Sequence, residues 1–401
     1  MMHAPSAANQ TGKPVTTRGD DLELLLHIKP LQHFPAEDQR GVALCCYAAM
    51  DNFVNAGDRE AAWKILDEGL NLRDSAHAPT RMFPDLAAAE YETLSLLLKD
   101  ENANVEANQT LLTRALHNHG MLAMGLGEHR VATSSLEKAS ALSLRAGDSL
   151  MASSTYRQLA HLLVKRSQSE GWGIDAPAIG AGLLLQGKHY ADLAVEAADN
   201  ISSRESSDTF MLRASRSTLG HVLSTLAIHP MYTEEHPAAQ KKHMDPMYTE
   251  RQLNAAGVAF LDAERQSAGN GGDNSLLVGL PGDQYVLHIL NLADFDSKRR
   301  EEHLAEALKR AENSLRSARA IRPPLEGQDG PASFNEASAL AVLGLCKLAT
   351  GNVTGGGLDY EQGLEGLRRF GRQDIIDTFE LKRRRDSYEK NMLDFSGPAA
   401  V

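Results

Sequence analysis

Residues Thr113–Leu142 read TRALHNHGMLAMGLGEHRVATSSLEKASAL. Apolar and small residues follow helical spacing as far as Gly127, and a glycine just past such a run marks a helix end. A second helix is expected from about Glu128, with Ala132, Leu136 and Ala139 along one face. Gly120 lies inside the first helix, where the lack of a side chain lets another backbone approach. The segment predicts two antiparallel helices that meet at small residues.

The same frame fits two other stretches. In Ala43–Leu72, ALCCYAAMDNFVNAGDREAAWKILDEGLNL, the turn is Gly57-Asp58, and Ala62, Leu66 and Gly69 repeat the second-helix spacing. In Ala337–Leu367, ASALAVLGLCKLATGNVTGGGLDYEQGLEGL, the turn is Gly351-Asn352, and Gly356, Tyr360 and Gly363 take those positions. Gly57 and Gly127 stand 70 residues apart, close to two periods of about 34 residues, with a divergent unit expected around Ala87–Leu98.

This pattern resembles the tetratricopeptide repeat (TPR), in which small side chains let paired helices approach and larger ones fill the seam. Gly120 and the pair Leu343-Gly344 match the family's Leu-Gly position; His119 stands where leucine is usual, and Met50 replaces the glycine of the first unit. The resemblance implies an all-α, TPR-like α-solenoid, a superhelix of antiparallel helix pairs. The chain between the matched units is less regular. Irregular central insertions are expected near 167–186, 228–248, 268–282 and 322–331, inside one repeat domain spanning 20–393. Flanking it are a disordered tail at 1–19 and a flexible one at 394–401. Within the second insertion PMYTE occurs twice, at 230–234 and 246–250, and Thr249 with Gln252 has the chemistry of a helix start. Asp374–Leu393 is expected to close the array as an amphipathic helix.

Composition agrees with helices. The 401 residues are 42% hydrophobic, 5% aromatic and 23% charged, and strand-like alternation is scarce. A formal charge of −12 argues against direct nucleic-acid or anionic-membrane binding. No run approaches the roughly 18 apolar residues that span a bilayer, and the N-terminus lacks a signal-type core, so the cytoplasm is the expected compartment. Cys45, Cys46 and Cys346 form no CxxC pair and read as small packing residues.

No nucleotide-loop, zinc-protease, nucleophile-elbow or kinase motif occurs, so catalytic residues, cofactors and metals are not expected. His117 and His119 stand two apart on a helix and so face different ways. The basic run Lys382-Arg383-Arg384-Arg385 is flanked by acids and reads as a salt-bridged face.

A TPR superhelix presents its first helices along a concave groove that takes extended peptides or partner helices. The resemblance maps that groove onto Tyr47 and Asp51, then Arg114, His117, Asn118 and Met121. In the following helix it maps onto Arg157, Gln158, His161 and Lys165. Asn118 matches the groove asparagine that bonds a ligand backbone in many family members. The last unit offers Ser338, Ala341, Val342 and Leu345. The two-lysine carboxylate clamp of chaperone-binding members is not reproduced. The expected function is a protein- or peptide-binding scaffold or adaptor, with an acidic or polar peptide segment as partner. The alternatives are a regulatory sensor of a peptide or small molecule, since Thr113–Asp148 resembles repeats of bacterial transcriptional regulators, and an enzyme on the same scaffold, which is disfavoured.

Overall fold

A recurrent turn organises the chain. Gly57, Gly127, Gly147, Gly351 and Gly371 all have φ between 64° and 90°. At each, the glycine N–H bonds the carbonyl three residues back and the next N–H bonds the one five back, as in Gly127 to Met124 (3.3 Å) and Glu128 to Ala123 (2.8 Å). This closes one helix and aims the chain into the next. Gly127 to Gly147, and Gly351 to Gly371, span 20 residues each. Sequence reading singled out three of the five turns.

The computed structural model describes residues 36–383 apart from 71–83, 100–108, 171–176, 202–205, 230–247, 269–279, 322–329, 374 and 381. Both tails, the first PMYTE copy and all of the chain beyond 383 lie outside the described residues. Those described are helical, with no strand among them. The helices are α1 (Ala36–Asn55), α2 (Arg59–Lys64, continued by a π-turn at Ile65–Gly69) and α3 (Pro84–Leu97). Next come α4 (Gln109–Leu126), α5 (His129–Ala146), α6 (Ser149–Glu170), α7 (Pro177–Asp199), α8 (Ser206–Ala227) and α9 (Tyr248–Ala268). The chain goes on through α10 (Leu280–Phe295), α11 (Arg300–Ile321), α12 (Phe334–Ala349) and α13 (Val353–Arg369). The last described helical residues, 373, 375–380, 382 and 383, are labelled α14.

The helices pack as adjacent pairs: α4 on α5, α6 on α7, α8 on α9, α10 on α11, α12 on α13. The even-numbered members also touch in series, α4 to α6 to α8 to α10 to α12. They form one layer, and their partners lie against it.

The seams sit where the glycines are. A Cβ placed on Gly344 would stand 2.5 Å from the Tyr360 backbone nitrogen and 2.7 Å from the Gly356 carbonyl, so α12 and α13 meet backbone to backbone. At Gly120 the neighbour is Leu136 Cγ, at 2.6 Å. His119, the departure from leucine, spans the seam by polar contacts. Its two ring nitrogens lie 2.9 Å from Ser135 Oγ on α5 and 2.9 Å from Ser95 Oγ on α3. Its ring stacks on Tyr91 with centroids 5.1 Å apart.

Two expectations need correction. The stretch read as an insertion at 167–186 is mostly helix where described: α6 continues to Glu170, and its partner starts at Pro177. Proline suits a first helical position, and Gly187 is taken up by close packing on Leu163. Thr249 lies inside the first turn of α9 rather than before it.

The basic run is paired where described. Lys382 bonds Asp294, and Arg383 bonds Glu361 at 2.7 Å while lying over the Tyr360 ring. Cys46 and Cys346 are buried, which pushes their thiols up to about 11 and about 12. No described helix is long and apolar enough to cross a membrane.

Candidate functional site

The expected groove residues divide into two groups. Tyr47 on α1 is buried, and its phenol bonds Glu90 on α3. Asn118 on α4 donates to the same carboxylate at 3.2 Å. Asp51 accepts from Thr93 Oγ1 at 2.7 Å, and His117 Nδ1 lies 3.1 Å from Thr155 Oγ1 on α6. These four are engaged in contacts between helices. Charge and hydrogen-bonding capacity suit a buried inter-helix network as well as a ligand, and the sequence carries no sign of which applies. Arg114 is half-buried on α4, and its Nε has no hydrogen-bond partner.

Met121, Arg157, Gln158, His161 and Lys165 come together along one cleft of about 260 Å³. Helix spacing explains the last four: 157, 158, 161 and 165 are one to four residues apart and share the α6 face that lines the cleft. The opposite wall was not legible. It consists of His221 from α8, Asp283, Gln284 and Leu287 from α10, and Arg372, Ile375, Thr378 and Phe379 at the start of α14. These positions lie 56 to 222 residues further on, beyond the reach of any local pattern. A smaller polar cavity of about 40 Å³ adjoins it, shared through Gln168, His221 and Thr378.

α14 explains a third correction. Ser338, Ala341, Val342 and Leu345, expected as an open strip on the last unit, are all buried. Ile375, Ile376 and Phe379 of α14 belong to the same apolar cluster and cover that face. Ser338 instead donates to Asp283.

Electrostatically the cleft departs from the acidic chain around it. Arg157, Lys165 and Arg372 line it, and Asp283 is the one carboxyl among its described lining residues. Asp283 is fully buried and accepts from Ser314 (3.0 Å) and Ser338 (2.5 Å). Burial outweighs those donors and pushes its carboxyl up to about 7. Lys165 Nζ donates to the Met124 carbonyl at 3.1 Å, and His161 Nε2 meets Thr218 Oγ1 at 3.1 Å. Such a site can hold and orient a negatively charged group. No group of three or more potential metal ligands occurs among the described residues.

Comparison of the chain with protein-family models and with curated proteins gives no match.

Proposed function

We propose that the chain is a TPR-like helical-repeat scaffold that captures a protein or peptide segment along the inner face of its even-numbered helices, acting as an adaptor in the cytoplasm rather than as an enzyme. The observation that carries this reading is the cationic cleft, where Arg157, Lys165 and Arg372 meet one hydrogen-bonded carboxyl. An acidic segment is the complementary partner, and each charge-assisted contact contributes about 1.5–3 kcal/mol. The serial contacts of the even-numbered helices support a solenoid-like inner surface, and the repeated glycine turn supports the TPR likeness.

The test is partner retention by the full chain, followed by charge reversal. Arg157→Glu/Lys165→Glu should release a stoichiometric protein partner while the helical circular dichroism stays unchanged. Arg114→Glu, outside the cleft, tells whether the segment extends along α4. Undiminished retention by the double variant sinks the site, and a wild-type chain that retains no protein sinks the reading.

A further inference from the structure

We propose that the small polar chamber adjoining the cleft is a side-chain pocket, which takes the primary carboxamide of a Gln or Asn from the captured segment and reads it through Asn291. The inference rests on the capture reading and adds a sequence requirement to it: an amide residue among the acidic ones.

The first argument is one unmet acceptor. Asn291 of α10 is 7% exposed and lines the chamber. Its Nδ2 donates to Ser224 Oγ on α8 at 3.1 Å, and that oxygen lies 3.2 Å from His288 Nδ1, so the amide is held in one orientation. Oδ1 of the same amide is buried and has no hydrogen-bond partner among the described residues. Buried polar atoms are nearly always partnered, by protein or by something else. His288 Nε2 is unpartnered too, but it lies beside Gly257 of α9, where a Cβ would stand 3.5 Å from it, and Gly257 is not part of the lining. The chamber therefore presents an acceptor that calls for a donor.

The second argument is neutrality. Gln168, Ser224, Thr225, Gln284 and Thr378 bring no charge to the lining. Burial pushes the imidazoles of His221 and His288 down to about 4, which leaves both uncharged near pH 7. Lys382 also lines the chamber and is bonded to Asp294. An entering carboxylate would compete with Asp294 and meet Asn291 Oδ1 acceptor to acceptor. An ammonium would stand beside Lys382, like to like. An apolar group would leave the Asn291 acceptor unanswered. A carboxamide is neutral and donates.

Size and position agree. About 40 Å³ holds roughly three water-sized groups, which matches the three heavy atoms of a carboxamide. Gln168, Gln284 and Thr378 border both the chamber and the cleft, so the chamber lies within side-chain reach of a segment in the cleft.

Isothermal titration calorimetry on the full chain at constant ionic strength tests this with acetylated pentapeptides, Glu-Glu-X-Glu-Glu with a free C-terminal carboxylate, X being Gln, Ala, Leu or Glu. The Gln peptide should bind at least about tenfold more tightly than the other three, about 1.4 kcal/mol. Asn291→Leu should lower the Gln peptide to the level of the Ala peptide and leave the Ala peptide unchanged. The wild-type series decides by itself if that variant does not fold. Equal binding of the Gln and Ala peptides means that the chamber holds only water, and overturns the proposal. So does a preference for Leu or Glu, or a Gln preference that survives Asn291→Leu. If all four bind alike, capture of an acidic segment stands and this inference alone falls; if none binds, the acidic-segment reading falls with it.

Discussion

Thr378 of α14 donates to Oε1 of Gln168 on α6 at 3.5 Å, across 210 positions of sequence. The contact brings the last described helix against α6, the fourth even-numbered helix back along the chain, and the cleft lies where they meet. Without α14 the cleft would lose Ile375, Thr378 and Phe379 from its wall.

The attachment of α14 should be separable from the rest of the fold. Lys382 is only 8% exposed and bonds Asp294, which also receives Arg300 at 3.3 Å. Lys382→Met should therefore cost on the order of 1–3 kcal/mol, since Asp294 keeps one cation. Hydrogen exchange should accelerate in 373–383 and not in α4–α6. Unchanged exchange in α14 would show that its apolar residues alone hold it.

Two glycines thirteen residues apart should respond with opposite sign. Gly344→Ala forces a methyl against the backbone of α13 and should destabilise by about 1–3 kcal/mol. Gly357, inside α13, has nothing within 4 Å of a Cβ, so Gly357→Ala should stabilise by about 0.4–1 kcal/mol. Urea unfolding of both variants checks the pair; equal effects would contradict the close approach of α12 and α13.

Asp283 should make the fold less stable as pH rises. Its carboxyl lies at about 7 in the folded chain against an ordinary 3.8, so between those values the folded state holds the proton that the unfolded state has lost. Stability falls through that window and levels off above about pH 7. The loss is on the order of 4 kcal/mol. Asp283→Asn keeps the shape and should stabilise the chain at pH 8 while leaving it nearly unchanged at pH 4. A variant that is less stable at pH 8 would mean that the carboxylate is stabilising.

His288 acts in the other direction. It is 1% exposed, its Nδ1 lies 3.2 Å from Ser224 Oγ, and burial pushes its imidazole down to about 4. Below the ordinary 6.5 the unfolded state takes up a proton that the folded state refuses, so stability drops from about pH 6.5 towards pH 4. In Asp283→Asn the opposing contribution is gone, and the acid-side loss should steepen. Unfolding midpoints at half-unit pH steps would reveal it, and parallel profiles for the two proteins would refute it.

Tyr47→Phe removes one of the donors to Glu90, which is 1% exposed. The expected cost is about 1–3 kcal/mol, because a buried carboxylate loses a partner. Partner retention should survive, since the phenol faces α3 rather than the cleft. Lost retention in a stably folded variant would return Tyr47 to the binding surface.

What could be read in advance was local. Turn glycines, small seam residues and the α6 face all depend on neighbours within a helical turn or two, and each of those left a pattern. Gly120 and Gly344 were legible because a missing side chain is itself a signal. The insertion expected near 167–186 misled for a related reason: Gly180 and Gly182 lower helix propensity there, yet both lie inside α7. Tyr47, Asp51 and Asn118 were read as groove residues because a polar side chain on an inner helix satisfies the repeat pattern whether it faces a ligand or a neighbouring helix. Their partners, Glu90 and Thr93, lie in a unit too divergent to align. His221, Asp283 and Arg372 left no trace at all, since nothing local ties them to α6.

The repeated glycine turn also bears on how the chain reaches its fold. Each turn is specified by a handful of consecutive residues, so helix pairs such as α12–α13 can form from contacts close in sequence, and these form quickly. The meeting of Gln168 with Thr378 is different, because it waits on everything between them. Nascent chains should therefore acquire their hairpins early and in any order, and the cleft should be the last part of the molecule to exist.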